Sequence, residues 1–167
     1  MPKRSPARAA ETRIRRARAA DLARLIAIEN GVFTSDRMSA RQLRHHVANP
    51  GAEVLVAVRN GDIAGAAIMF FHESHRIARL YSIAVAPEAR GAGIGEALLA
   101  AAERGARARG REWFRLEVRT DNAAARRLYE RRGYRVFGTK AAYYEDGCDA
   151  VRYEKPLTRG RVSPSRP

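Results

Sequence analysis

The sequence predicts an α/β fold (an α+β mixed sheet with helices on both faces) in the order β-α-α-β-β-β-α-β-α-β-β. Three observations lead there. Strand-length segments such as Glu53–Arg59 and Arg76–Ala86 either alternate apolar and polar residues or run nearly continuously apolar. Between such segments, apolar residues recur at helical spacing behind recognisable caps. A chain of 167 residues, 46% hydrophobic and 30% charged, can fill one core but is short for two domains.

A short strand over Arg13–Ala17 opens the body. It leads into a helix over Asp21–Asn30, where Leu22, Leu25, Ile26 and Glu29 keep helical spacing. Ser39 and Gln42 stand as a capping-box pair at the start of a second helix, which Asn49-Pro50-Gly51 ends. EVLVAVRNGDIAGAAIMFF reads as a hairpin: Val54, Val56 and Val58 alternate on one face, and Asn60-Gly61 signals a type I′ turn. The apolar continuity of RIARLYSIAVA, Arg76–Ala86, predicts a central strand. A glycine-rich loop follows, then a helix over Gly93–Arg109 with Ile94, Leu98, Ala101 and Gly105 on one face. Trp113–Arg119 is the next strand. Asp121-Asn122 cap a helix that Gly133 closes, and strands over Tyr134–Tyr143 and Cys148–Pro156 complete the body.

The formal net charge is +14, but its distribution matters more than its size. Residues 1–18 carry +6 and residues 158–167 carry +3, which leaves +5 for the body. Most of the excess therefore sits toward the two ends of the chain, and the tails 1–11 and 158–167 are expected to be disordered. Arg outnumbers Lys 29 to 3, so the charge reads as solvated surface rather than a designed nucleic-acid footprint. No apolar run approaches the roughly 18 residues that cross a bilayer, and no membrane partner is expected. The single Cys148 cannot form an intrachain disulfide, which fits a reducing, cytoplasmic setting. His72 and His75 lack companions for a ligand set, so no metal is expected, and His45-His46 are expected to face solvent and a neighbouring element. Monomer and homodimer are both compatible with these features.

The informative stretch is VAPEARGAGIGEALL, Val85–Leu99. A loop of small residues that leaves a central strand and opens a helix aims backbone N–H groups at an anion. Glycine lets phosphate oxygens approach without a Cβ in the way. A P-loop is excluded because no lysine follows Gly95. A dinucleotide fingerprint starting at Gly91 would need glycine at position 96, where Glu96 stands. What fits is Arg-x-x-Gly-x-Gly, Arg90 to Gly95.

At these residues the sequence resembles the GNAT superfamily of acetyl-CoA-dependent N-acetyltransferases, and the resemblance spans about residues 12–157, a single domain. LEVRTDNAAARRLYERRGY, Leu116–Tyr134, and Tyr143-Tyr144 followed by Asp149-Ala150 look like the corresponding segments of ribosomal-protein-alanine N-acetyltransferases. The resemblance implies the GNAT acyl-CoA N-acyltransferase fold, with acetyl-CoA as cosubstrate and no metal. It implies that a distortion at the end of the strand before the loop splays two parallel strands. The acetyl group would lie against Ile83, Ala84 and Val85, and Arg90, Gly91, Ala92, Gly93, Ile94 and Gly95 would hold the pyrophosphate. Asn122 would cap its helix and touch the cofactor. Tyr129 would act as the general acid and Glu117 as the general base, with Phe33, Tyr143 and Tyr144 on the acceptor side. Without the resemblance, Tyr129 reads as a core aromatic and Glu117 as a strand-end carboxylate paired with Arg115 or Arg119.

The implied acceptor is a protein N-terminal α-amine, in a ribosomal protein. The loop FTSDRMSA, Phe33–Ala40, departs from that subfamily, which carries a Pro-Trp pair after the phenylalanine. Protein lysine or a small polyamine is the alternative acceptor. From a different class, the alternative is a non-catalytic acyl-CoA sensor that docks on RNA or the ribosome through its basic tails.

Overall fold

A computed structural model describes residues 11–73 and 75–157. Apart from Glu11, the two basic tails, with the disorder and RNA contact assigned to them above, lie outside the described residues. The elements follow the expected order. Strand β1 (Thr12–Arg16) is followed by a 3-10 turn and helix α1 (Leu22–Val32), then α2 (Ala40–Ala48). Strands β2 (Ala52–Arg59), β3 (Asp62–Phe71) and β4 (Ile77–Val85) come next, followed by α3 (Ile94–Ala108). The chain then forms β5 (Trp113–Arg119), α4 (Ala123–Arg131), β6 (Arg135–Lys140) and β7 (Ala150–Pro156). The seven strands form one sheet in the order β1-β2-β3-β4-β5-β7-β6, with β4 central as the sequence predicts.

Local chemistry sets most of these boundaries. Asn60 and Gly61 have φ of 52° and 83°, the left-handed pair that a type I′ turn requires. The Ser39 hydroxyl accepts the Gln42 N–H while the Gln42 side chain accepts the Ser39 N–H, closing the capping box. Asn122 Oδ1 accepts the Ala125 N–H at 3.1 Å, and Gly133 takes φ of 86° just past the end of α4. Helix α1 runs two residues beyond the expected Asn30: Gly31 stays helical, and the Phe33 N–H reaches the Glu29 carbonyl at 3.1 Å.

Two apolar clusters cover the sheet, one on each face. Leu25, Ile28 and Leu43 from α1 and α2 pack on Val54, Val56 and Ile68. On the other face, α3 and α4 cover Ala67, Met69, Leu80, Phe114 and Leu116. The buried stripe of α3 is Ile94, Leu98, Leu99, Ala102 and Ala106. It is turned from the expected one, so Ala101 packs at its margin and Gly105 lies against the Glu53 carboxylate. Leu98 is fully buried, and truncating it to alanine costs about 2–5 kcal/mol.

The feature that makes room for a ligand is in β4. Register with β3 pairs Ile68 with Ser82 but Met69 with Leu80, leaving Tyr81 as an extra, bulged residue. The bulge reverses the inward phase of the strand. Ala78 and Leu80 join the α3–α4 cluster, whereas Ala84 beyond the bulge joins the α1–α2 cluster. Parallel pairing of β4 with β5 also stops there, running only from Ile77–Leu80 opposite Trp113–Leu116. Past Leu80 the two strands part.

Candidate active site

A cleft of about 780 Å³ opens where β4 and β5 separate. Its floor is Arg79–Ile83 on one side and Leu116–Arg119 on the other. The end of α1 and the loop after it supply Glu29 and Val32–Asp36; Asn122, Ala125 and Tyr129 come from α4 and its cap. Tyr143 and Tyr144 close it from the β6–β7 loop. Of the residues expected here, Glu117, Tyr129, Asn122, Ile83, Arg90, Phe33, Tyr143 and Tyr144 all line this one cleft.

The remaining expected residues are placed differently. Ala84 is buried beneath the sheet, and Val85 packs against the α3–α4 cluster, because the strand distortion sits at Tyr81 rather than at the strand end. The loop Gly91–Gly95 continues from Arg90 without lining the cleft itself. Its geometry fits a diphosphate. Gly91 and Gly93 have φ of 80° and 74°, and a Cβ built on either would meet nothing within 4 Å. The first bond of α3 runs from the Ala97 N–H to the Gly93 carbonyl, so the N–H groups of Ile94, Gly95 and Glu96 precede it. The Ile94 side chain is buried below, so that residue can offer only its backbone.

Tyr129 is 7% exposed, and its ring packs against Tyr134 and Tyr153 with centroids 5.6 and 6.0 Å away. Tyr134 is itself fixed, because its hydroxyl donates to the buried Glu103 at 2.9 Å and Glu103 pairs with Lys155 at 3.0 Å. The Tyr129 hydroxyl makes no hydrogen bond among the described residues and belongs to a cleft-lining side chain. Burial holds its pKa well above the usual tyrosine value, so it stays protonated at neutral pH.

Glu117 does not pair with Arg115 or Arg119, the partners expected from sequence. Those arginines are engaged by Glu154 at 3.1 Å and by Asp146 at 2.6 Å. Instead Arg79 holds the Glu117 carboxylate at 3.1 Å from β4, with Arg152 at 3.6 Å and Lys140 at 3.8 Å on its other oxygen. Arg79 also donates to the Tyr143 hydroxyl at 2.7 Å. Above the cleft, Asp36 and Glu145 bridge the two loops: the Glu145 N–H donates to the Asp36 carboxylate at 3.2 Å and the Asp36 N–H to Glu145 at 3.3 Å.

Sequence reading singled out neither Arg79 nor Tyr81, and it took Glu29 only as a helix-face residue. Two signals were present: a charge inside an apolar central strand, and a glutamate on the core side of α1. Burial raises the Glu29 pKa, partly opposed by the Met38 N–H that its Oε1 accepts at 2.7 Å and by the charge of Arg37. His46 packs on Phe70 with centroids 4.8 Å apart, while His45 is exposed. His72 and His75 have rings 4.8 Å apart, and among the described residues no three His, Cys, Asp or Glu side chains converge as a metal site would need. Among those residues no helix is long and apolar enough to cross a membrane.

Comparison with known proteins agrees with this architecture. The chain is 31% identical over 139 residues to a protein of Bacillus subtilis (strain 168) provisionally named a ribosomal protein bS18-alanine N-acetyltransferase, covering 83% of this chain and 91% of that one. It is 30% identical over 131 residues to a mycothiol acetyltransferase of Nocardiopsis dassonvillei, covering 74% of this chain but only 39% of that protein. The crystal structure of the ribosomal-protein-S18-alanine N-acetyltransferase from Escherichia coli superposes with a TM-score of 0.81 at 28% identity, covering 92% of this chain and 98% of that one. The profile of the acetyltransferase (GNAT) domain matches residues 21–157, and the chain belongs to this family of acetyl-CoA-dependent N-acetyltransferases.

Proposed function

We propose that the protein acetylates the α-amine at the N-terminus of a protein, in the manner of the ribosomal-protein-alanine enzymes it resembles, and that it does so in the cytoplasm. The observation that carries this reading is the charge around Glu117. One carboxylate is surrounded by Arg79, Lys140 and Arg152, so that end of the cleft is locally positive. A polyamine, or a lysine carrying its full charge, is repelled there and finds a carboxylate already engaged by three cations. An α-amine, with an ordinary pKa near 7.7–8.0, costs about 1 kcal/mol to deprotonate at pH 7; lysine near 10.4 costs roughly 4.6. The site favours the acceptor that arrives neutral most often.

The bound thioester supplies the acyl group. The residues of this chain then divide the work. The N–H groups of Gly91–Gly95 hold the diphosphate, with Arg90 and Asn122 beside it. Backbone freed by the Tyr81 bulge faces the acyl end through Ser82 and Ile83. Glu117 takes the amine proton through water, and Tyr129 gives its hydroxyl proton to the departing sulfur. Phe33, Tyr143 and Tyr144 form the acceptor wall.

The test is thiol release from acetyl-CoA with three acceptors: a free N-terminal alanine or serine peptide, the same peptide blocked but carrying an internal lysine, and spermidine. Turnover on the free N-terminus alone is the expected result. Turnover only on lysine or spermidine overturns the acceptor while leaving the family reaction intact. Acetyl-CoA binding with no turnover on any acceptor favours a sensor.

A further inference from the structure

The guanidinium of Arg79 is only partly used. Its Nε donates to Glu117 at 3.1 Å; Nη2 lies 3.1 Å from the same carboxylate and donates to the Tyr143 hydroxyl at 2.7 Å. An arginine has five N–H bonds in a rigid plane, and these contacts involve only Nε and Nη2. The two on Nη1 make no hydrogen bond among the described residues, although the side chain lines the cleft and is 43% exposed. Because Glu117 on β5 and Tyr143 on the β6–β7 loop hold one edge, the other edge is fixed in direction rather than free to rotate. Arg79 also follows directly on the buried Ala78 and precedes Leu80, the last residue of β4 in register with β5, so its backbone is rigid where the cleft begins.

We propose that Arg79 is a specificity-determining residue: its free Nη1 edge donates to the carbonyl oxygen one carbon from the acceptor amine, so the site selects amines that carry an adjacent amide. This rests on the α-amine reading above and narrows it. A peptide N-terminus presents an acceptor oxygen at a fixed offset from the attacking nitrogen. A lysine side chain or a polyamine has none, and leaves the Nη1 donors unpaired on binding. The same guanidinium touches Glu117 and Tyr143, so a carbonyl bound there also fixes the amine relative to the base and the aromatic wall.

The experiment compares two acceptors in three proteins. One acceptor is an N-terminal alanine peptide. The other is the same peptide with the first amide replaced by a trans-alkene, which keeps the shape and the amine but removes the carbonyl. The ratio of kcat/KM between them is measured for the wild type, Arg79→Gln and Arg79→Lys. The difference in amine basicity cancels when ratios are compared between proteins. The wild type should prefer the amide by about tenfold more than either variant does, because the fixed Nη1 donor edge of the guanidinium is lost in both. Arg79→Lys keeps the positive charge beside Glu117, so loss of preference in it isolates the missing edge from the missing charge. Thermal unfolding and acetyl-CoA binding establish that each variant is folded. An equal ratio in all three proteins, with the peptide still acetylated, overturns the inference and leaves the proposed function standing. Failure of the wild type to acetylate the peptide, with turnover on lysine or spermidine, overturns both.

Discussion

On the cofactor side of the cleft, each structural decision is made within a few residues of itself. Two left-handed glycines turn the chain into α3, Asn122 caps α4 through Ala125, and Gly133 ends it. On the acceptor side the decisions are made across the molecule. Asp36 meets Glu145 over 109 positions, Arg79 meets Tyr143 over 64, and Arg79 meets Glu117 over 38. One wall is written in local backbone chemistry and the other in tertiary contacts between charged side chains. The first suits a ligand that every family member shares, and the second can be rewritten pair by pair for a different acceptor.

The largest expected effect sharpens this contrast at the reacting centre, where the walls meet. Tyr129→Phe should lower kcat about 10²–10³-fold while leaving acetyl-CoA affinity unchanged, as steady-state kinetics and calorimetry would read. Unchanged kcat would return Tyr129 to the role of a packed aromatic.

Next comes the cofactor wall. A Cβ on Gly65 would sit 2.8 Å from the Ala84 carbonyl oxygen and 3.1 Å from Ile94 Cγ2, pushing β4 and the start of α3 apart. Gly65→Ala should therefore destabilise the fold by about 2 kcal/mol in chemical denaturation and weaken acetyl-CoA binding with it.

The acceptor wall should answer more weakly and more selectively. Asp36→Ala removes the carboxylate that holds the Glu145 N–H. The KM for the peptide should rise about threefold to fivefold, with the KM for acetyl-CoA unchanged. A rise in both would mean that the two walls are not independent.

The smallest effect separates two buried carboxylates at opposite ends of α1. Arg15 is the main cause of the lowered Asp21 pKa, its guanidinium lying 2.7 Å away; the Arg18 N–H adds to it. Stability from Asp21 is present above its unfolded value near 3.9 and fades as pH falls through the lowered folded value. Burial raises the Glu29 pKa, so its contribution is complete below about 4.3 and is lost as pH rises through the raised value. Stability measured against pH should thus lose its acid-side fall in Asp21→Asn and its higher-pH fall in Glu29→Gln.

Legibility in the sequence follows the same divide. The Asn60-Gly61 turn, the Ser39–Gln42 box and the Asn122 cap were readable because each is decided by residues at fixed short offsets. The central place of β4 was readable from its apolar run. The partners of Glu117 were not, since adjacent arginines in sequence point to other carboxylates and the real partners come from three other strands. The Tyr81 bulge left no mark either: one extra residue in a strand changes register without changing composition. The turned face of α3 reflects buried Glu103, a charge that helical patterning assigns to solvent.

The short parallel seam has one more consequence. Strands β1–β4 form one antiparallel unit and β5–β7 another, and between them run only the few rungs from Ile77–Leu80 to Trp113–Leu116. Amide hydrogens along that seam are then the ones in the sheet whose exchange with solvent depends on how often the two units drift apart. A ligand seated in the gap touches both units and acts as a staple, so their protection is coupled to occupancy of the cleft rather than to the stability of either unit alone.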